Sequence, residues 1–307
     1  MQKTLTIVTA ADVKYWRSLY QLLLSAERTR LHRTHKFIAY DLGLGEKLAD
    51  LTRRFPWVTF RRFAFENYPA HVALEARSYA WKPMIVGDVL AQSDGYVLWL
   101  DSATILKRRD LNHAIAAIAR DGVYVLKCDR PLAERCDPLT LSAMNVPLEF
   151  LDRKERACGM VGLDAGRPAV RELVVEWRRH ALIEAHIAPR NPPLPYHKPE
   201  QSLLTILLFE YQAAGKIGLT DDEIDIASRA PVRWMSSRNK ISPRTPVWSD
   251  PFCRFYYLAY KMADRWWLRF QEWERTKLSC LDRFFWEHFT RSEEHTSELQ
   301  SHLNLVC

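Results

Sequence analysis

Three apolar runs of strand length lead straight to an aspartate, and this arrangement constrains the fold more than anything else in the chain. Leu5 to Ala10 runs through Ala11 to Asp12, Lys36 to Tyr40 ends at Asp41, and Tyr96 to Leu100 ends at Asp101. Helical spacing fills the gap after the first run, where Trp16, Tyr20, Leu23 and Leu24 recur on one face. Val58 to Phe63 reads as a further strand, and about 75–92 as a helix interrupted at Pro83. A helix over 110–121 and a strand Val123 to Leu126 follow, then a less regular stretch with prolines at 131, 138 and 147. Met160 to Leu163 reads as another strand, and helices over 168–185 and 200–214 flank a proline-rich link. Strands alternating with helices predict an α/β fold with a Rossmann-type, mixed but mainly parallel sheet covered on both faces.

In such a sheet, ligands bind outside the carboxyl ends of the strands, where Asp12, Asp41 and Asp101 would gather. Three acids there suit a ribose, sugar hydroxyls or a metal ion. Helix capping by Asp12 and turn formation by Asp41 are equally open readings. The chain has no G-x-G-x-x-G and no G-x-x-x-x-G-K-[ST], which argues against dinucleotide-dependent hydride transfer and P-loop hydrolysis. A G-x-S-x-G elbow and an H-E-x-x-H pair are also missing from the sequence.

Against this background the chain resembles the GT-A glycosyltransferases, especially the retaining galactosyltransferase and glycogenin type of family eight, over about residues 4–210. Ala10-Ala11-Asp12-Val13-Lys14-Tyr15 is similar to the family's A-A-D-x-N-Y, with Lys14 in place of the amide. The resemblance implies that Ala10, Asp12 and Tyr15 hold the base and ribose of a nucleotide-sugar donor, with Asp41 beside them. Trp99-Leu100-Asp101-Ser102-Ala103 is similar to Y-L-D-x-D, whose two acids hold a divalent metal. Here Asp101 and Ser102 are retained on the donor side, but Ala103 replaces the second acid. The implied cofactor is Mn²⁺ or Mg²⁺, with Asp101 and His197 as candidate ligands. Loss of one carboxylate weakens such a site unless another oxygen substitutes.

Tyr79-Ala80-Trp81-Lys82-Pro83 falls where the family places a basic residue near the donor diphosphate, making Lys82 and then Arg77 the implied contacts. Gly159-Met160-Val161-Gly162-Leu163-Asp164 resembles the strand that lines the donor sugar, through Gly162. Lys198-Pro199-Glu200-Gln201-Ser202 resembles the E-Q-D segment near the anomeric carbon. Gln201, then Glu200, are the implied reaction-centre residues together with Asp101. Lys82 as a surface charge, the two tryptophans as core, and Glu200 and Gln201 as simple helix openers are the structural alternatives.

These readings divide the chain into a nucleotide-sugar-binding domain over 1–225, a basic aromatic helical region over 226–290, and a tail over 291–307. Within 252–289, thirteen of thirty-eight residues are aromatic, and Arg and Lys are interspersed among them. Such a helical appendage packs on the main domain or lies at a membrane surface. Arg233, Arg238 and Lys240 offer a cationic clamp for phosphate, with Arg238 and Lys240 taken as donor contacts. The tail R-S-E-E-H-T-S-E-L-Q-S-H-L-N-L-V-C resembles a translated sequencing-library adapter, so the native chain is expected to be cut near Thr290. Without the tail's one arginine and three glutamates the net charge rises from +7 to +9. A basic chain suits phosphate-bearing ligands, nucleic acid or anionic membranes without choosing among them.

The N-terminus lacks a signal-peptide core, no run reaches membrane-span length, and the cysteines form no C-x-x-C pair. A cytoplasmic protein, at most peripheral at the inner membrane face, is expected. The leading expectation is a hexosyltransferase-like glycosyltransferase acting on a glycan or lipid-linked acceptor in polysaccharide biosynthesis, with no nucleic-acid partner. The alternatives are a non-catalytic relative that binds nucleotide-sugar or glycan, and a surface-binding module built on the aromatic region.

Overall fold

A computed structural model of the chain describes residues 3–190, 197–223 and, for the backbone alone, 235–236. The region over 226–290 expected to be helical, with Arg238 and Lys240, lies outside the described residues except at 235–236, and so does the tail over 291–307.

The strands are β1 (Leu5–Ala11), β2 (Lys36–Asp41), β3 (Val58–Arg62), β4 (Tyr96–Leu100), β5 (Thr104–Ile105), β6 (Val123–Pro131), β7 (Lys154–Asp164) and β8 (Met235–Ser236). The helices are α1 (Trp16–Arg28), α2 (Lys47–Arg54), α3 (Trp81–Ala91), α4 (Arg108–Asp121), α5 (Leu132–Arg135), α6 (Pro138–Ala143), α7 (Pro168–Ala181), α8 (Glu184–Ile187) and α9 (Pro199–Ala213). Six strands form one sheet in the order β3-β2-β1-β4-β7-β6, and β5 and β8 form a short separate ladder. β1 to β4 are parallel, and β7 runs against both β4 and β6. The expected mixed, mainly parallel sheet flanked by helices is therefore present.

Alternation along the strands sorts the core into two layers. Val8, Ala10, Val97, Trp99, Val161 and Leu163 face α3, α7 and α9, while Leu5, Ile7, Phe37, Leu98 and Leu100 face α1 and α4. After β1 the chain turns to β2 on one side, and it later returns as β4 on the other. β1 and β4 are thus neighbours at the point where the direction of winding reverses, the position of the ligand-binding crevice in open α/β sheets.

Several boundaries differ from the expectations. The helix read from about 75 starts only at Trp81, because Arg77 and Tyr79 adopt left-handed backbone (both φ 55°) and break any earlier turn. Pro83 falls in the first turn, where its missing N–H costs nothing, so it opens the helix rather than interrupting it. β7 begins six residues before Met160, since Glu155 and Arg156 are buried polar residues that a search for apolar runs passes over. The proline-bearing stretch holds α5 and α6. Asp137 caps α6 by accepting from the Leu139 N–H at 2.9 Å, and Pro138 occupies its first turn. The helix read as 168–185 splits into α7 and α8.

Candidate functional site

Asp101 leaves β4 at the crevice, and the sheet fixes its backbone: its N–H donates to Gly159 O at 2.9 Å and its carbonyl accepts from Thr104 N at 2.9 Å. The side chain is half exposed. Its Oδ1 accepts from Trp99 Nε1 at 2.9 Å and lies 3.3 Å from Lys82 Nζ. Gly159 lets it sit close to β7, because a Cβ there would meet Asp101 Oδ2 at 3.2 Å.

Lys82, on the first turn of α3, is only 3% exposed. Its ammonium donates to Glu200 Oε1 at 3.0 Å and to Cys158 O at 3.2 Å, and it lies 5.5 Å from the Trp99 ring centre. Burial alone would favour the neutral amine, but Asp101 and Glu200 outweigh it and raise the lysine above its ordinary range. The surface-charge alternative is thereby removed. One buried cation ties α3, β4, β7 and α9 together at the crevice floor.

Gln201, beside Glu200 on α9, turns its amide toward β7. Its Oε1 accepts from Cys158 N at 3.2 Å and its Nε2 donates to Glu155 Oε2 at 2.5 Å. Ser202 Oγ donates to Glu155 Oε1 at 2.8 Å. Glu155 is buried, and burial lifts its carboxyl to about 7 despite these two donors. A carboxyl raised from about 4.5 to about 7 keeps its proton longer in the folded state, so its ionisation lowers stability as pH rises through that window. Glu155→Gln is therefore expected to flatten the loss of stability between about pH 4.5 and 7, by at most about 3 kcal/mol. Denaturant unfolding at a series of pH values measures that slope.

On the other side of the crevice, Asp12 Oδ1 accepts from Tyr15 N at 3.0 Å, while α1 itself begins at Trp16 with no side-chain cap. Asp12 thus closes the turn before the helix and does not cap the helix. Ala10 is buried opposite Tyr40, and Tyr15 packs at the edge of the α1 layer. Asp41 Oδ1 accepts from Gly43 N at 2.8 Å and from Leu44 N at 2.6 Å, which is the turn-forming arrangement. Ser102 is buried beside Asp101, and Arg77 is exposed in the turn before α3.

Two expected positions are corrected. Gly162 pairs with Leu98 and Tyr124 within the sheet, and a Cβ there would meet Ile118 Cδ1 at 2.5 Å. It makes room for α4 and does not line the crevice; the glycine beside Asp101 is Gly159. His197 is committed on both ring nitrogens, with Nδ1 accepting from Asp137 N at 3.1 Å and Nε2 facing Ile187 O at 3.0 Å. Burial lowers its pKa, and it is not available as a metal ligand. Sequence reasoning missed Glu155 and the Trp99–Asp101 hydrogen bond. The polar K-E-R interrupting an otherwise apolar segment was the only signal for the first.

The described residues do not fit a resident divalent cation. Asp101 offers one carboxylate, whose Oδ1 already serves Trp99 and a buried ammonium, and position 103 carries no oxygen ligand. Among the described residues, no three His, Cys, Asp or Glu side chains are grouped to hold a metal ion.

Residues 1–87 match the model of a protein family of unknown function, DUF1647. No curated protein sequence matches the chain. Among solved structures, it is similar to the bifunctional glycosyltransferase WbbM in its apo form, at 14% identity and a TM-score of 0.43, over 67% of this chain and 38% of that one. It is also similar to the galactosyltransferase LgtC with donor and acceptor sugar analogues, at 17% identity and a TM-score of 0.37, over 57% of this chain and 60% of that one. A third is core-mannan synthase A from Aspergillus fumigatus in its Mn/GDP form, at 8% identity and a TM-score of 0.46, over 71% of this chain and 73% of that one. The chain thus spans less than two thirds of the length of each of the first two, and these likenesses concern the fold alone.

Proposed function

We propose that the chain is a glycosyltransferase that moves a sugar from a nucleoside-diphosphate donor to a glycan or lipid-linked acceptor. The observation carrying this reading is the convergence of Asp101, Lys82 and Glu200 at the carboxyl end of β4, with Asp12 at the end of the neighbouring β1. All four are residues to which the resemblance drawn from the sequence also points. On this reading Asp12 and Tyr15 bind the base and ribose, Asp101 orients the donor, and Glu200 and Gln201 lie toward the reacting sugar. The departing diphosphate needs compensating positive charge, which exposed Arg77, with Arg238 and Lys240, would add to that of Lys82. Action at the cytoplasmic membrane face, with residues 252–289 as peripheral contact, belongs to the same proposal. Among the described residues, no helix is long and apolar enough to cross a membrane.

A specific observation favours a second reading, in which the fold binds nucleotide-sugar without transferring it. Both ends of the Gln201 amide are engaged by β7, the oxygen by Cys158 N and the nitrogen by Glu155. Incubation with a panel of nucleoside-diphosphate sugars and candidate glycan acceptors separates the two. Release of nucleoside diphosphate coupled to a glycosylated product supports transfer, whereas tight binding without product supports the second reading.

A further inference from the structure

We propose that donor binding in this crevice is independent of a divalent cation, with the Lys82 ammonium holding the place beside Asp101 that a metal ion would take; this rests on the nucleotide-sugar reading above. The ammonium is 3.3 Å from Asp101 Oδ1 and 3.0 Å from Glu200 Oε1; the lysine and Glu200 are buried, while the Asp101 carboxylate is half exposed. A divalent ion on Asp101 would share that carboxylate with a charge of its own sign held 3.3 Å from Oδ1. Ala103 supplies nothing to offset this. A lysine locked among three acceptors does the metal's positional work: it holds the Asp101 carboxylate in one orientation, with Oδ2 left to accept from a ligand hydroxyl.

Direct contact with phosphate oxygens then falls to other cations. Lys14 in the β1–α1 turn and Arg77 before α3 are both exposed at the same edge of the sheet, and neither makes an ion pair among the described residues. Lys14 stands where the related motif has an amide, so the chain gains a positive charge on the rim as it loses a metal-binding acid at Ala103.

The test uses the full chain and two readouts. Electron paramagnetic resonance of Mn²⁺ titrated into the protein, without nucleotide, reads metal uptake directly. Thermal unfolding with nucleoside-diphosphate sugars, in Mn²⁺ and again in EDTA, reads donor binding. The expected result is no Mn²⁺ uptake by the unchanged chain, uptake by Ala103→Asp, and a nucleotide-induced stabilisation that EDTA does not diminish. Mn²⁺ uptake by the unchanged chain, or a nucleotide shift that is lost in EDTA, overturns the proposal. If no nucleotide sugar shifts the protein in either buffer, the donor reading fails by itself, and the Mn²⁺ titration still decides whether a cation site exists.

Discussion

Replacing Lys82 by methionine is expected to cost about 3–5 kcal/mol, because it strips a buried ammonium from Glu200 and leaves that carboxylate desolvated without a partner. For a domain of this size such a loss lowers the melting temperature by roughly 10 °C. Asp101 contributes less to the penalty, since its half-exposed side chain recovers water. The structure also predicts a partial rescue. Lys82→Met combined with Glu200→Gln removes both charges and should be more stable than Lys82→Met alone, so the two substitutions are strongly non-additive. Thermal melts of the four proteins in the cycle measure the coupling. Additive losses would mean that Lys82 and Glu200 do not interact as the geometry describes.

Trp99→Ala is expected to destabilise by about 3–5 kcal/mol, the range for emptying a packed aromatic site. Trp99 is 1% exposed, lies on the layer shared with α3, and has Trp81 at 5.9 Å between ring centres. Trp99→Phe separates packing from orientation. It keeps most of the ring but loses the Nε1 hydrogen bond to Asp101. Its stability cost should be smaller than that of Trp99→Ala, about 1–2 kcal/mol, because it leaves only a small cavity and water replaces the lost donor at a half-exposed carboxylate. Nucleotide affinity should nevertheless fall, since Asp101 then keeps only one of its two side-chain anchors. Chemical denaturation and calorimetric titration read the two effects independently. An affinity unchanged in Trp99→Phe would show that the indole does not position Asp101.

The sheet was legible because β1, β2 and β4 are largely buried and so appear as mainly apolar runs, each leading to an acid. The carboxyl-edge crevice followed from their order. Local periodicity failed where burial and polarity coincide. Glu155 and Arg156 sit inside β7, with the Glu155 carboxylate and the Arg156 backbone N–H and Nη1 bonded to α9 and a neighbouring loop, so that half of the strand carried no apolar signature. The start of α3 was hidden because Arg77 and Tyr79 adopt left-handed backbone without glycine. Within the site, Asp101 and Lys82 were legible as residues, but their 3.3 Å contact joins positions nineteen apart on different elements. No spacing rule reports such a contact. Gly162 misled because two glycines three residues apart share one motif, and only register shows that Gly159 is the one beside Asp101.

The central claim is that the β1/β4 crevice takes a nucleoside diphosphate, and thermal unfolding with a panel of nucleoside diphosphates and their sugars tests it most directly. The unchanged chain is compared with Asp101→Ala. The account predicts specific stabilisation by one nucleotide series, growing with ligand concentration as native-state binding requires and sharply reduced in Asp101→Ala. A folded protein that no nucleotide stabilises, or one stabilised equally with and without the Asp101 carboxylate, would contradict it.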